Sequence, residues 1–218
     1  MVWISERNLH QVGCIMLQVF LSLVIVSFSS LAFSQSHSSI NGARSSFDRN
    51  VFFDQSFLGF NNKISLSGSE APEGFATSWT GSGIRDGFGI ELYKFIHLSL
   101  LHTSLSEEAK GASTNHFSGN EVMGDLSLNF ASPIGNLGFG SGVFASRIDM
   151  QQAEKSAKYS GAGRVDHISL NYFLNSAFSI DIRAEQAQGD YHKGSGDIEL
   201  SKFSSKRTGL GLGFKIWF

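Results

Sequence analysis

His-x-Ser pairs recur in this chain of 218 residues, among them His97-Leu98-Ser99, His102-Thr103-Ser104 and His167-Ile168-Ser169. A histidine beside a serine can activate the hydroxyl as a nucleophile when a carboxylate orients the ring. At this spacing the two side chains share a face only on a strand. The third pair continues as Leu170-Asn171, and Glu185 is the acid available to orient it if it shares that face. A second set of residues is ionic. Asp181, Arg183 and Glu185 alternate along one stretch, and Lys215 stands in another. Gly209-x-Gly211-x-Gly213 lacks the spacing of a nucleotide-binding loop. His37, His116 and His192 fall in predicted loops and tails without a carboxylate at ligand spacing, so neither a metal nor a cofactor is expected.

The elements that would position these groups alternate with period two. Val122, Leu126, Leu128 and Phe130 oppose Asp125, Ser127 and Asn129. Leu137, Phe139, Val143 and Ala145 oppose Gly138, Gly140 and Gly142. Ile168, Leu170, Tyr172 and Leu174 oppose His167, Ser169 and Asn171, while Phe178, Ile180, Ile182 and Ala184 oppose Ser179, Asp181, Arg183 and Glu185. Such alternation is the mark of half-buried strands. Tight turns are expected at 132–136 and 175–176, and long polar loops at 106–120, 149–163 and 189–205. The first half is less regular. Residues 51–60 read as strand, helix or plug, and Lys63 to Ser67 begins the first strand. A loop with Pro72 covers 68–74, a weaker strand 75–81, and Arg85-Asp86-Gly87 reads as a turn. Residues 88–105 read as one long strand.

Composition sets the class. Residues 1–34 carry Arg7, an apolar run from Cys14 to Phe28 and small residues up to Ala32 and Ser34, the pattern of a signal peptide cleaved before Gln35. Residues 35–50 are Ser-rich and read as a flexible lead-in, leaving 51–218 as one domain. The only cysteine lies in the leader, so no disulfide is expected beyond it. Formal net charge is −2, which argues against a nucleic-acid partner.

The last ten residues point further. Leu210, Leu212, Phe214, Ile216 and Phe218 share one parity, and Gly209, Gly211, Gly213, Lys215 and Trp217 the other. A tilted strand of about ten residues spans a bilayer. This apolar face with an aromatic last residue resembles the terminal strand of small bacterial outer-membrane β-barrel proteins. The resemblance implies an all-β fold, a transmembrane antiparallel up-and-down barrel with porin-like architecture. It also implies that Leu210, Leu212, Phe214, Ile216 and Phe218 form the signal read by the barrel assembly machinery. Eight strands are counted, with ten as the alternative. Apolar residues would then face lipid, and Asp181, Arg183, Glu185 and Lys215 would form a charge network in the lumen, since buried charges must be paired.

His167-Ile168-Ser169-Leu170-Asn171 also resembles the His-x-Ser-Asn motif of outer-membrane lipid A deacylases, with Leu170 interrupting it. Parity turns His167 and Ser169 inward, away from any lipid. The reading adopted is therefore a non-enzymatic barrel with an envelope-structural or surface-interaction role through its loops. A deacylase-like esterase and a narrow pore for small solutes are the alternatives. Expected partners are outer-membrane lipids and lipopolysaccharide, with the chain a monomer. Lys155, Lys158 and Arg164 give one outer loop a basic character that suits lipopolysaccharide phosphates, but a solvated face is the reading adopted for them.

Overall fold

The computed structural model describes residues 50–66, 75–93, 95–110, 112–132, 135–152, 154–175 and 177–218. The predicted leader, the lead-in before Asn50 and the 68–74 loop lie outside them. Eight strands follow in order: β1 (Val51–Leu66), β2 (Ser78–Leu92), β3 (Ile96–Ala109), β4 (Ala112–Ser132), β5 (Gly135–Gln152), β6 (Lys155–Asn175), β7 (Phe178–Gly196) and β8 (Lys202–Trp217). Each pairs antiparallel with the next, and β8 returns to β1, so the sheet closes into a barrel. Closure leaves no unpaired edge. The all-β, eight-stranded antiparallel barrel expected from the sequence is the fold observed.

Several boundaries differ from expectation. Residues 51–60 are neither helix nor plug; they form β1 together with the Lys63 stretch. Arg85-Asp86-Gly87 is not a turn. It lies within β2, with Arg85 opposite Thr103 and Asp86 opposite His102. Gly87 is there because a Cβ would run into the Leu100 carbonyl and Leu101, so a close strand approach imitated a turn signal. The 88–105 stretch is two strands. The chain reverses between Leu92 and Ile96, where Tyr93 takes a φ of 53° and the Phe95 N–H donates to the Leu92 carbonyl at 3.3 Å. Leu92 and Ile96 are paired and differ by an even number, so parity runs across the turn unbroken.

The largest correction concerns the three long loops. Most of 106–120, 149–163 and 189–205 is strand. Only residues 110–111 separate β3 from β4, 153–154 separate β5 from β6, and 197–201 separate β7 from β8. These outer parts were missed because their polarity is reversed. Below them Phe57, Phe88, Leu100, Val122, Val143, Ile168, Ile182 and Leu212 face outward. Above them the outward rows become Ser104, Ser106, Asn120, Arg147, Asp149 and Ser160. There the inward side carries Ile64, Trp79, Phe117, Ile148, Met150, Tyr159, Tyr191 and Phe203. We call these two zones the belt and the crown. Residues Val122 to Phe130 on β4 show the belt's depth, about nine residues. At ~3.3 Å per residue and a ~40° tilt this approaches the ~25 Å apolar band of membrane barrels.

Inward glycines make room for large neighbours. A Cβ at Gly140 would meet the His167 ring and Ser127, whereas one at outward-facing Gly59 would find nothing within 4 Å. Gly140→Val should abolish the heat-sensitive, fast-migrating folded band in unboiled SDS gels. Gly59→Ala should leave it intact.

Candidate functional site

The lumen is where this sequence places its polar chemistry, and it is filled. At the base, where β1 begins and β8 finishes, Phe52, Phe173 and Trp217 form an aromatic layer. Trp217 lies 4.8 Å from Phe52 and 5.9 Å from Phe173 between ring centroids, and its indole N–H donates to Ser179 Oγ at 3.1 Å. His97 packs 5.3 Å from Phe52, with Nε2 2.8 Å from Glu91 Oε2.

Above this layer sits an ionic cluster from three neighbouring strands. Lys215 Nζ donates to Asp181 Oδ1 at 3.2 Å and lies 3.7 Å from Asp54 Oδ2. Arg183 Nη2 is 3.9 Å from Asp54, and its Nε is 3.9 Å from Asp181. Two carboxylates thus face two cations, and all four side chains are buried. Charges in so dry a place persist only when balanced. β7 presents Asp181 and Arg183 on its inward parity, β8 supplies Lys215 directly opposite Ser179, and β1 supplies Asp54 opposite Lys215. Glu185 belongs to a separate pair. Arg85 crosses the lumen from β2 and grips it with Nη1 to Oε2 at 2.6 Å and Nη2 to Oε1 at 3.1 Å, while Arg85 Nε donates to Thr103 Oγ1 at 3.1 Å. This two-pronged form is among the stronger ion-pair geometries.

In the crown, Arg207 Nη2 lies 2.6 and 2.7 Å from the two Glu121 oxygens. Its guanidinium stands between the rings of Phe60 and Phe144, at 5.5 and 5.6 Å. Nearby, Asn62 Nδ2 donates to Glu107 Oε2 at 2.8 Å, and Ser205 Oγ donates to Asn62 Oδ1 at 2.8 Å. Burial pushes the Glu107 carboxyl up to about 7, against the pull of Arg207 and Asn62. The apolar crown core then fills the mouth. The 197–201 connection folds into it, burying Ile198 and Leu200. The Tyr159 hydroxyl donates to the Leu200 carbonyl at 3.0 Å, and Lys193 Nζ donates to the Ile198 carbonyl at 2.7 Å.

The histidine–serine pairs divide between the two faces. His167, Ser169 and Asn171 face the lumen and are buried. Asp125, not Glu185, holds His167, with its oxygens 2.9 and 3.1 Å from Nε2. His167 Nδ1 has no hydrogen-bond partner among the described residues. Ser169 is therefore not bonded to the ring, and the barrel wall separates it from any lipid ester. His102 and Ser104 face outward just above the belt. Asp86 Oδ1 lies 3.6 Å from His102 Nδ1, but the Ser104 hydroxyl donates to Asn120 Oδ1 at 3.1 Å instead of to the histidine. The outer basic residues have anionic neighbours: Arg164 with Asp166 at 2.8 Å, and Lys155 with Glu199 and Lys158 with Asp149, each at 3.9 Å. Among the described residues no group of three His, Cys, Asp or Glu side chains is placed to hold a metal.

Sequence reasoning missed Asp54, Arg85, Glu121 and Arg207. Arg85 shares parity with Glu91 but sat in an apparent turn, and Asp54 sat in the ambiguous 51–60 stretch. Glu121 and Arg207 stand where the alternation changes sign.

No protein-family model matches this chain, and no curated protein sequence does. Its structure is similar to that of Neisserial surface protein A, with a TM-score of 0.50 and 14% identity over 77% of this chain and 97% of that one. Outer membrane protein OprG from Pseudomonas aeruginosa aligns with a TM-score of 0.48 at 14% identity, covering 78% and 96% of the two chains. For Ail, the attachment invasion locus protein of Yersinia pestis, the values are 0.45 and 12%, covering 76% and 99%. The likeness is one of fold: this chain has the eight-stranded architecture of the small outer-membrane barrels.

Two outcomes follow from the lumen chemistry. Arg85→Met should cost about 3–5 kcal/mol in urea unfolding, because it strands a buried carboxylate, and adding Glu185→Met should recover much of the loss. Glu107 behaves oppositely to a paired acid. Its folded value lies above the ordinary 4.5, so the protein loses stability as pH rises from 4.5 through about 7. Glu107→Gln should raise the melting temperature at pH 8 and leave it nearly unchanged at pH 4.

Proposed function

We propose that this protein is a sealed outer-membrane barrel that serves the envelope as a structural and surface element, with neither a transport path nor a catalytic centre. The observation that carries this reading is the filled lumen. Aromatic rings occupy the base, neutralised ion pairs the middle, and an apolar core the mouth. An eight-stranded barrel has interior space only for its side chains. The belt supports residence in a bilayer, because its outward Phe, Leu, Ile and Val residues would be an aggregation surface in water.

In this reading the base lies in the periplasm, where Phe218 N–H donates to the Val51 carbonyl. The crown projects outward, raising a rigid polar sheet rather than flexible loops above the membrane. The outer face of β8, with Leu210, Leu212, Phe214 and Ile216, and Phe218 just beyond it, is the surface the assembly machinery would engage. Outer-membrane lipid and lipopolysaccharide are its surroundings, and closure of every strand lets it act as a monomer.

Reconstituted in planar bilayers, the protein should show no steady single-channel conductance at moderate voltage. Stable, reproducible conductance steps would overturn the sealed-lumen reading. Cysteines placed at Ser106 and Lys158 should react with an impermeant maleimide on intact cells, while one at Ser179 should stay unlabelled.

A further inference from the structure

The outer wall is not uniform. From the start of β1 across to β5 the belt holds an apolar trough of about 670 Å³, its lining including Phe88, Ile90, Leu98, Leu100, Leu126 and Val143. Its floor is set by small residues. Gly124 faces outward between Leu100 on one side and Val143 on the other, and a Cβ there would meet nothing within 4 Å. In the next row Leu98 and Leu126 lead to Ser141. A glycine and a serine among large residues leave a furrow in the apolar wall.

A second hollow, about 540 Å³, stands higher on β3 to β6. Ser104, Asn120, Arg147 and Ser160 form one cross-strand row of it, and Ser118, Asp149 and Lys158 belong to the next. Its chemistry differs from that of the trough. Three hydroxyls and an amide line it with two cations, Arg147 and Lys158, against one carboxylate, Asp149. The floor of the trough at Gly124 and the polar row at Asn120 are four residues apart on one strand, about 13 Å at ~3.3 Å per residue. Both hollows share β3, β4 and β5.

We propose that this face seats one phosphorylated glycolipid of the outer leaflet, with an acyl chain in the Gly124 trough and its phosphorylated sugar in the hollow above. The inference rests on the outer-membrane reading and its orientation. The cations complement a phosphate, and the hydroxyls and the Asn120 amide suit a sugar better than a small glycerol headgroup. The trough lies within the belt, where acyl chains are the surrounding solvent. Its gain is therefore in shape and in fixing the headgroup, not in the hydrophobic effect.

The test uses the full chain folded in detergent, with lipopolysaccharide, dephosphorylated lipopolysaccharide and phosphatidylglycerol as probes. The readouts are the melting of the folded gel band and the apparent Kd from a fluorescent lipopolysaccharide. Lipopolysaccharide should raise the melting temperature by several degrees, and the other two probes should do markedly less. Gly124→Phe and the double variant Arg147→Ser/Lys158→Ser should each fold with an unchanged gel shift, yet bind about tenfold more weakly. Binding unchanged in both variants, or phosphatidylglycerol matching lipopolysaccharide, overturns the glycolipid site while leaving the sealed barrel standing. A chain that gives no folded band with any lipid removes the membrane reading and this site together.

Discussion

Closing eight strands into a cylinder leaves an interior that must be filled with side chains and, in a bilayer, must hold whatever charge it contains in balance. The cluster of Asp54, Asp181, Arg183 and Lys215 meets that demand across the seam where the first and last strands join. The register of β8 against both β1 and β7 therefore has an electrostatic as well as a hydrogen-bonded basis. A slip of one residue would turn Lys215 to the outer face and leave two carboxylates inside with Arg183 as their one remaining cation of the cluster. Arg85 with Glu185 and Arg207 with Glu121 tie opposite walls together in the same way.

Polarity reverses once along the barrel axis. In the belt, grease faces out and charge faces in; in the crown, Ser, Asn, Arg and Asp face out while Trp79, Phe117, Tyr159, Tyr191 and Phe203 face in. One strand therefore carries both polarities in turn on each of its faces. The crown's interior is like that of a soluble protein, and its outward face is wettable. Arg207 and Glu121 lie near the change, where the guanidinium is clasped by a carboxylate and two rings.

This reversal explains how much of the molecule the sequence disclosed. The second half of the belt could be read residue by residue, from Val122 to Phe130 and from Phe178 to Glu185, because a single parity holds throughout each segment. Asp181, Arg183 and Lys215 were visible as inward charges for the same reason. Where parity changes sign, period-two patterns cancel, and 106–120, 149–163 and 189–205 looked like loops. Arg85 was hidden by Gly87, whose presence reports a tight approach to Leu100 and Leu101 rather than a turn. The even spacing of Leu92 and Ile96 fused two strands into one. The Gly87 and Leu92–Ile96 features depend on how the next strand pairs back on β2, which the pattern of one segment read alone does not show.

In the outer-membrane reading proposed above, the reversed crown would also give membrane insertion a direction. Placed so, it would carry polar rows across hydrocarbon, where lysine or arginine near the midplane costs about 2–4 kcal/mol apiece. Once across, Ile198 and Leu200 tuck into the mouth and the aromatic core closes behind them. Withdrawal would require opening that core and returning Arg147, Lys158 and their polar neighbours through the lipid. In that reading the crown is a barb: it would oppose withdrawal kinetically, in addition to the equilibrium stability of the belt.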